Sequence, residues 1–169
     1  MVSDGLPAML AAVTDDRGAV TGLMRTYLAR DGSGKAAIQA PRRAMGALAG
    51  HGVRFGPNAD VMLAGEGIET VLSLRMAMPT RPMIAALSAT NLRAWIPPPQ
   101  LRKLYIAVDR DDAGRNAADR LQERLNALGI EARQLHPQRK DFNDDLIADG
   151  ELANQLTTAL PNRFLRHTW

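Results

Sequence analysis

From about residue 60 onwards, short apolar runs alternate with helical segments, and this alternation constrains the fold more than any other feature of the sequence. The runs have the length of buried strands and are Val61 to Ala64, Met83 to Leu87 and Leu104 to Val108. A fourth strand is predicted from Ile130 to Leu135. The clearest helix is predicted from Ala113 to Leu128, because its apolar residues recur at helical spacing. Strands that alternate with helices form βαβ units. We therefore predict an α/β fold, with helices flanking a mostly parallel central sheet of about four strands.

The first 57 residues follow a different pattern. Two apolar runs, Ala8 to Val13 and Ala19 to Leu28, are separated by a turn signal at Asp15 to Gly18 and predict a β-hairpin or small meander. We interpret the basic, glycine-rich stretch Pro41 to Gly56 as a loop or short helix followed by a strand end. The sequence thus predicts a small β-rich N-terminal subdomain at residues 1–57, an α/β domain at residues 58–160 and a tail at residues 161–169.

The composition excludes several classes of protein. The chain has no cysteine, which rules out disulfides, thiolate catalysis and cysteine-based zinc sites. No apolar stretch approaches the ~20 residues of a membrane span, and the first residues lack the pattern of a secretory signal. We therefore expect a cytoplasmic protein with no membrane partner. The net charge of +3 is too small to indicate a nucleic-acid partner by itself.

Acidic residues follow three of the predicted strands, at the point where each strand ends. Glu66 follows the first strand, Asp109 and Asp111 follow the third, and Asp141 and Asp144 follow the fourth. Ligands of parallel sheets bind beyond the carboxyl ends of the strands, so these carboxylates are predicted to meet at one edge. Their mutual repulsion favours a hard divalent cation, Mg²⁺ or Mn²⁺.

A simpler interpretation of some of these acids also stands. Asp111 and the neighbouring Asp112 precede the longest predicted helix, where aspartate often serves only as a cap. Glu69 lies three residues after Glu66, so it either faces the same way or is merely exposed, and we rank it below the other acids.

Three segments that contain these acids resemble the signatures of the Toprim domain. They are Gly65-Glu66-Gly67-Ile68-Glu69-Thr70, Asp109-Arg110-Asp111-Asp112-Ala113-Gly114-Arg115 and Lys140-Asp141-Phe142-Asn143-Asp144. The resemblance covers roughly Ala8 to Leu146. Within the family, the sequence most resembles the Toprim domain of phage- and plasmid-borne primases and primase-helicases. It implies a Toprim-like, Rossmann-like sheet and makes residues 58–160 the catalytic domain.

The resemblance also implies roles for individual residues. Glu66 is implied as a metal ligand or general base, Asp109 and Asp111 as the principal Mg²⁺ ligands, and Lys140 as a positive charge near phosphate. The full implied set of metal ligands is Glu66, Asp109, Asp111, Asp141 and Asp144. The implied reaction is Mg²⁺-dependent nucleotidyl transfer, which makes RNA primers from NTPs on single-stranded DNA during replication of a phage, plasmid or mobile element.

Basic residues of the N-terminal part are the predicted contacts to nucleic acid. Together with Arg110 of the second motif, the set is Arg25, Lys35, Arg42, Arg43 and Arg54. Such residues either bind the phosphate backbone or form an ordinary solvated face. Asp31 to Lys35 looks like part of a phosphate-binding loop, but its spacing is incomplete and no helix follows, so we interpret it as a hairpin turn.

Two other functions remain open from the sequence. A Toprim nuclease would use the same acids to hydrolyse phosphodiester bonds. The second open function is non-catalytic: the chain would bind DNA or dock a partner as part of a larger primase-helicase. The partner would be a replicative helicase or a missing zinc-binding domain. A topoisomerase is disfavoured, because Tyr27 and Tyr105 fall within predicted strands.

Overall fold

The chain forms two β-sheets and five helices in the computed structural model, which describes residues 5–149 and 152–161. The first sheet is antiparallel, in the order β1-β2-β3, and consists of β1 (Ala8–Thr14), β2 (Val20–Tyr27) and β3 (Arg42–Gly46). The second has the order β4-β6-β5-β7-β8 and consists of β4 (Val53–Phe55), β5 (Val61–Gly65), β6 (Met83–Ala85), β7 (Lys103–Ala107) and β8 (Glu131–Leu135). The helices are α1 (Ile68–Ala77), α2 (Ala89–Ala94), α3 (Asp112–Ala127), α4 (Phe142–Asp149) and α5 (Leu152–Ala159).

The five-stranded sheet confirms the predicted α/β fold. Its four strands β5 to β8 are parallel, and β4 adds an antiparallel edge by pairing with β6. Alternate residues of a strand point to opposite faces, so Leu63 packs with α1 while Met62 and Ala64 pack on the side of α2 and α3. Trp95 and Phe142 are fully buried in these two layers.

The three-stranded sheet is covered on one face only. Met9, Ala11, Val13 and Met24 pack against the core beneath α1, whereas Leu10 on the opposite face is 63% exposed. This sheet confirms the predicted β-rich N-terminal part.

The interpretation of Pro41 to Gly56 as a loop or short helix before its strand end is wrong for Arg42–Gly46. This segment is a strand, β3, paired antiparallel with β2. All five of its residues are exposed, so no apolar pattern marks it in the sequence. Its hydrogen bonds to β2 hold it extended, and at its end Gly46 takes φ +87°, where a Cβ would lie 2.4 Å from the Thr21 carbonyl oxygen.

Strand β4 lies close to the predicted boundary between the two parts. The boundary after residue 57 assigns Val53–Phe55 to the N-terminal part, whereas the strand pairs within the five-stranded sheet. A bridge between Thr14 and Gly52 connects the two sheets just before β4. The boundary itself stays a prediction, and the predicted tail lies outside the described residues except for Pro161.

The segment from Asp31 to Lys35 is a turn, as predicted. It is closed by backbone hydrogen bonds from Gly32 to Ala29 and from Ala29 to Gly34, and by a bridge between Leu28 and Lys35. Across the described residues, no helix is both long and apolar enough to span a membrane.

Candidate active site

An open cleft of about 210 Å³ lies beyond the carboxyl ends of β5 and β7. Its charged lining consists of Glu66, Glu69, Asp109, Asp141, Lys35 and Arg42. The acids come from the five-stranded sheet and its helices, and the two cations come from the N-terminal part. This is the edge where the sequence placed the carboxylates.

Glu66 follows β5 and has one oxygen without a partner. Its backbone is held by the Leu87 N–H, which donates to the Glu66 carbonyl at 2.7 Å. The Ala89 N–H donates to its carboxylate, while Oε2 is buried and has no hydrogen bond among the described residues. Burial raises the pKa of Glu66, and repulsion from Asp109 and Asp111 raises it further. An anionic oxygen in this setting favours a cation.

Asp109 comes two residues after β7 and is fixed by a neighbour on α1. The Thr70 hydroxyl donates to Asp109 Oδ1 at 3.2 Å. Burial raises the pKa of Asp109, and repulsion from Asp141, Asp111 and Glu69 adds to that effect although the Thr70 bond opposes it. Gly114 lets the chain turn tightly here, since a Cβ on it would lie 2.9 Å from the Asp109 carbonyl oxygen.

Asp111 serves as the N-cap of α3, which is the simpler of its two predicted roles. Its Oδ1 accepts a 2.6 Å hydrogen bond from the Gly114 N–H, and the residue is exposed rather than part of the cleft lining. Its charge is nevertheless near enough to raise the pKa values of Glu66 and Asp109. Asp112 is exposed on the surface, paired with Arg115 at 2.6 Å.

The residues of the last acidic motif lie in different places, some in the cleft and others at the loop before α4. Asp141 lines the cleft and accepts a 2.9 Å hydrogen bond from the Asp144 N–H, which makes it a cap of α4. In the described part of the chain, neither Asp144 nor Lys140 lines the cleft, and Lys140 is exposed. Asp145 is buried and accepts hydrogen bonds from the backbone of residues 138 and 139, so it stabilises this loop.

The predicted basic residues separate into two groups. Lys35 Nζ and Arg42 Nη2 both contact Glu69 Oε1, at 2.8 Å and 2.6 Å, on the rim of the cleft. Burial opposes the ionisation of Glu69, but hydrogen bonds from these two cations outweigh it and lower its pKa to about 2. Glu69, ranked low from the sequence, thus connects α1 with the N-terminal part through two ion pairs.

The other predicted cations are not among the residues that line the cleft. Arg25 and Arg43 are paired on the outer face of the three-stranded sheet, with Arg25 Cζ 4.7 Å from the centre of the Tyr27 ring. Arg54 is partly buried and donates from Nε to the Asp15 carbonyl at 2.9 Å. Arg110 is exposed, and its N–H donates to the Lys140 carbonyl at 3.2 Å.

Residues 61–151, more than half of the chain, match the family model of the Toprim domain. The chain belongs to the Toprim family. A second model, described as a domain of unknown function, matches residues 2–55. No curated protein matches the chain.

Solved structures of primases share the fold of this Toprim protein. The primase fragment of the bacteriophage T7 primase-helicase aligns with a TM-score of 0.63 and 16% identity, over 90% of this chain and 64% of that one. A DNA primase domain from Pseudomonas aeruginosa gives 0.60 and 17%, over 89% and 50%. The Aquifex aeolicus primase with its zinc-binding and RNA polymerase domains gives 0.58 and 19%, over 89% and 40%. This Toprim chain therefore spans 40% to 64% of the length of these structures.

The residues in the Toprim cleft fit a divalent cation that keeps part of its water shell. Within the described residues, no group of three acidic, histidine or cysteine side chains is close enough together to hold an ion. Mg²⁺, however, is usually bound through only one or two carboxylates, with waters and substrate phosphates completing its shell. The unpartnered oxygen of Glu66 and the carboxylate of Asp109 supply that set.

Two residues of the cleft wall were missed in the sequence. Thr70 is buried and orients Asp109, but a threonine in a predicted helix gives no sign of such a contact. Leu87 has φ +78°, the one positive value among the described non-glycine residues, and it lies beside Glu66. Such backbone strain clusters at functional sites, but it shows only in three dimensions.

Proposed function

We propose that this Toprim domain is the core of a DNA primase that joins NTPs into RNA primers on single-stranded DNA. The observation that carries the proposal is the pairing of Glu66 and Asp109 in one open cleft, with an unpartnered buried oxygen on Glu66 and a raised pKa on both acids. The primase fold of the chain supports it. The setting is the cytoplasm, during replication of a phage, plasmid or mobile element.

Each residue of the cleft has a chemical task in this proposal. Glu66 and Asp109 hold the divalent cation, Mg²⁺ or Mn²⁺, which when bound stabilises charge on the entering and leaving oxygens of in-line attack at phosphorus. The alternative task of Glu66 is that of general base: without a directly bound cation, its raised pKa suits it to accept the proton of the attacking hydroxyl. Thr70 keeps the Asp109 carboxylate in one orientation.

The remaining predicted site residues take supporting roles. Asp111 and Asp141 add negative potential and can bind the waters of an ion, since each uses one oxygen to cap a helix. Asp144 is proposed to act through such waters as well. Lys35 and Arg42 face phosphate across the cleft. The exposed Lys140 and Arg110 are proposed to contact nucleic acid, and the residues proposed for further contacts are Arg25, Arg43 and Arg54.

Partners follow from the same proposal. The T7 structure belongs to a primase-helicase, and the Aquifex aeolicus structure includes a zinc-binding domain. We infer that this chain works with a replicative helicase or with a zinc-binding domain. A non-catalytic docking role remains the alternative if the chain proves inactive.

A primer-synthesis assay tests the activity directly. Wild type is compared with Asp109→Asn on single-stranded DNA with labelled NTPs and Mg²⁺ or Mn²⁺. We expect labelled oligonucleotides from the wild type and at least about 100-fold fewer from the variant, because several kcal/mol of charge stabilisation is lost. The matched control is Asp60→Asn, an exposed aspartate before β5 at the opposite end of the strand from Glu66.

The same assay separates the alternatives. Degraded template without new product indicates a nuclease that uses the same acids. No reaction of either kind, together with a Mg²⁺-dependent rise in the melting temperature of the wild type alone, indicates a metal site that needs another domain for activity.

A further inference from the structure

A single oxygen of Glu69 forms ion pairs between the Toprim part and the N-terminal part at the rim of the cleft. Glu69 lies in the first turn of α1, and its Oε1 contacts Lys35 Nζ at 2.8 Å and Arg42 Nη2 at 2.6 Å. Lys35 follows the turn after β2, and Arg42 begins β3. Cations from two places in the N-terminal part therefore converge on one carboxylate of the Toprim part.

This ion-pair cluster is open to water. The side chains of Lys35, Arg42 and Glu69 are 41%, 43% and 39% exposed. Exposed ion pairs contribute little net stability, about 0–1 kcal/mol each, because water and salt screen them. The cluster can therefore break without unfolding the protein.

The two cations are of the kinds that bind phosphate in proteins. They share one cleft with the acids Glu66, Asp109 and Asp141. A lysine ammonium and an arginine guanidinium that converge on one oxyanion form a typical phosphate site, and the guanidinium can bind two phosphate oxygens at once. In this arrangement the charge of Glu69 is already paired, because its Oε1 accepts from both cations.

We propose that Glu69 is an exchangeable internal counter-ion, which occupies the phosphate position of Lys35 and Arg42 until a phosphate of the substrate displaces it. The proposal rests on the proposed function, since that function brings a phosphate ligand to the cleft. Glu69 keeps the two cations in place in the empty cleft and weakens the binding of any phosphate that must compete with it. The source of the phosphate is either a nucleoside triphosphate or a nucleic-acid backbone.

The test measures binding of inorganic tripolyphosphate by calorimetry, in EDTA and at low salt, for the wild type, Glu69→Gln and Glu123→Gln. Glu123 is an exposed acid on α3 that pairs with Arg120, so the control makes the same charge change away from the cleft. We expect Glu69→Gln to bind about three- to tenfold more tightly than wild type, because surface ion pairs of this kind no longer compete. Glu123→Gln should bind like wild type.

Further variants and ligands show where the gain arises. In Glu69→Gln, a second change of Lys35→Met or Arg42→Met should abolish the gain. Tripolyphosphate binding without binding of a single-stranded DNA oligonucleotide identifies the triphosphate as the source, and the reverse identifies the backbone. Equal or weaker binding of tripolyphosphate and oligonucleotide by Glu69→Gln than by wild type overturns the proposal.

A measurement on the wild type covers the case in which a variant does not fold. Amide NMR shifts on addition of tripolyphosphate should be largest at Lys35, Arg42 and Glu69, and shifts confined to other residues contradict the inference. Because EDTA removes metal and no reaction takes place, these results do not depend on primer synthesis. If the wild type makes no primers but its tripolyphosphate binding behaves as expected, the result counts against the proposed function. It does not count against the displacement of Glu69 by phosphate.

Discussion

The inner strands β5 to β7 of the five-stranded sheet are buried on both faces, whereas the three-stranded sheet is covered on one face and open to water on the other. Leu63 in the first is fully buried, and Leu10 in the second is 63% exposed. The acids of the cleft come from the larger sheet and its helices. Of the two cations, Arg42 lies on β3 of the smaller sheet and Lys35 follows the turn after β2. The cleft therefore lies between a region whose central strands are fully buried and a region with one face exposed to water.

The half-covered sheet also separates residues that are neighbours in the sequence. Arg42 and Arg43 are adjacent on β3, so they point to opposite faces. Arg42 reaches Glu69 in the cleft, while Arg43 lies opposite Arg25 on the outer face. Like charges directly opposite each other destabilise an antiparallel pair, so this face favours an anionic environment.

The largest expected difference between the two sheets is in core packing. Leu63→Ala should lower the free energy of unfolding by about 2–5 kcal/mol, because it leaves a cavity in a layer that cannot collapse. Leu10→Ala should change it by no more than about 0.5 kcal/mol, as for other surface changes. Urea denaturation of both variants measures the contrast. Equal losses would mean that the outer face of the small sheet is covered.

The same contrast explains which parts of the fold were predictable. Strands β5 to β7 are apolar runs because both faces are buried, so the sequence marks them. In β8, at the edge of the sheet, Ala132 and Leu135 are the buried residues. β3 has no buried residue, and its pairing with β2 makes it a strand. Local pattern therefore predicts an element only where burial selects its residues.

The candidate site divides in a similar way. Glu66, Asp109 and Asp141 were predicted to meet because strand ends of a parallel sheet share one edge. The contact of Lys35 and Arg42 with Glu69 depends on how the small sheet packs against α1, which no spacing in the sequence specifies. The contact of these two cations with Glu69 therefore depends on tertiary packing and could not be predicted from the sequence.

The charged carboxylate of Asp109 should lower the free energy of unfolding at neutral pH. Burial and mutual repulsion raise the pKa of Asp109, so its charged form is disfavoured in the folded state. Asp109→Asn should therefore raise the free energy of unfolding at about pH 7, within the 0.5–2 kcal/mol of typical stabilising changes. The gain should vanish below the ordinary aspartate pKa of 3.8, where the wild-type carboxyl is protonated in both states.

Mg²⁺ sharpens that prediction. It should raise the melting temperature of the wild type more than that of Asp109→Asn, because the variant lacks one anionic ligand. Asp60→Asn serves as the control and should keep the wild-type response. A larger response to Mg²⁺ in Asp109→Asn than in the wild type would contradict a metal site at Asp109.

The smallest expected effect concerns the ion pairs between the two sheets. The pKa of Glu69 falls from 4.5 to about 2 in the folded state, since the hydrogen bonds from Lys35 and Arg42 outweigh burial. Its stabilising contribution is therefore complete above about pH 4.5 and is lost as the pH falls towards about 2. Because all three side chains are about two-fifths exposed, screening keeps the contribution below about 1 kcal/mol.

Glu69→Gln should accordingly lower the free energy of unfolding slightly at about pH 7 and make it less dependent on pH between about 4.5 and 2. Urea denaturation across this range measures both effects, with Glu123→Gln as the control for the charge change. A loss of several kcal/mol in Glu69→Gln would mean that the cluster mainly holds the two sheets together. That result would weigh against an exchangeable counter-ion, because a phosphate could not displace Glu69 without a comparable cost in stability.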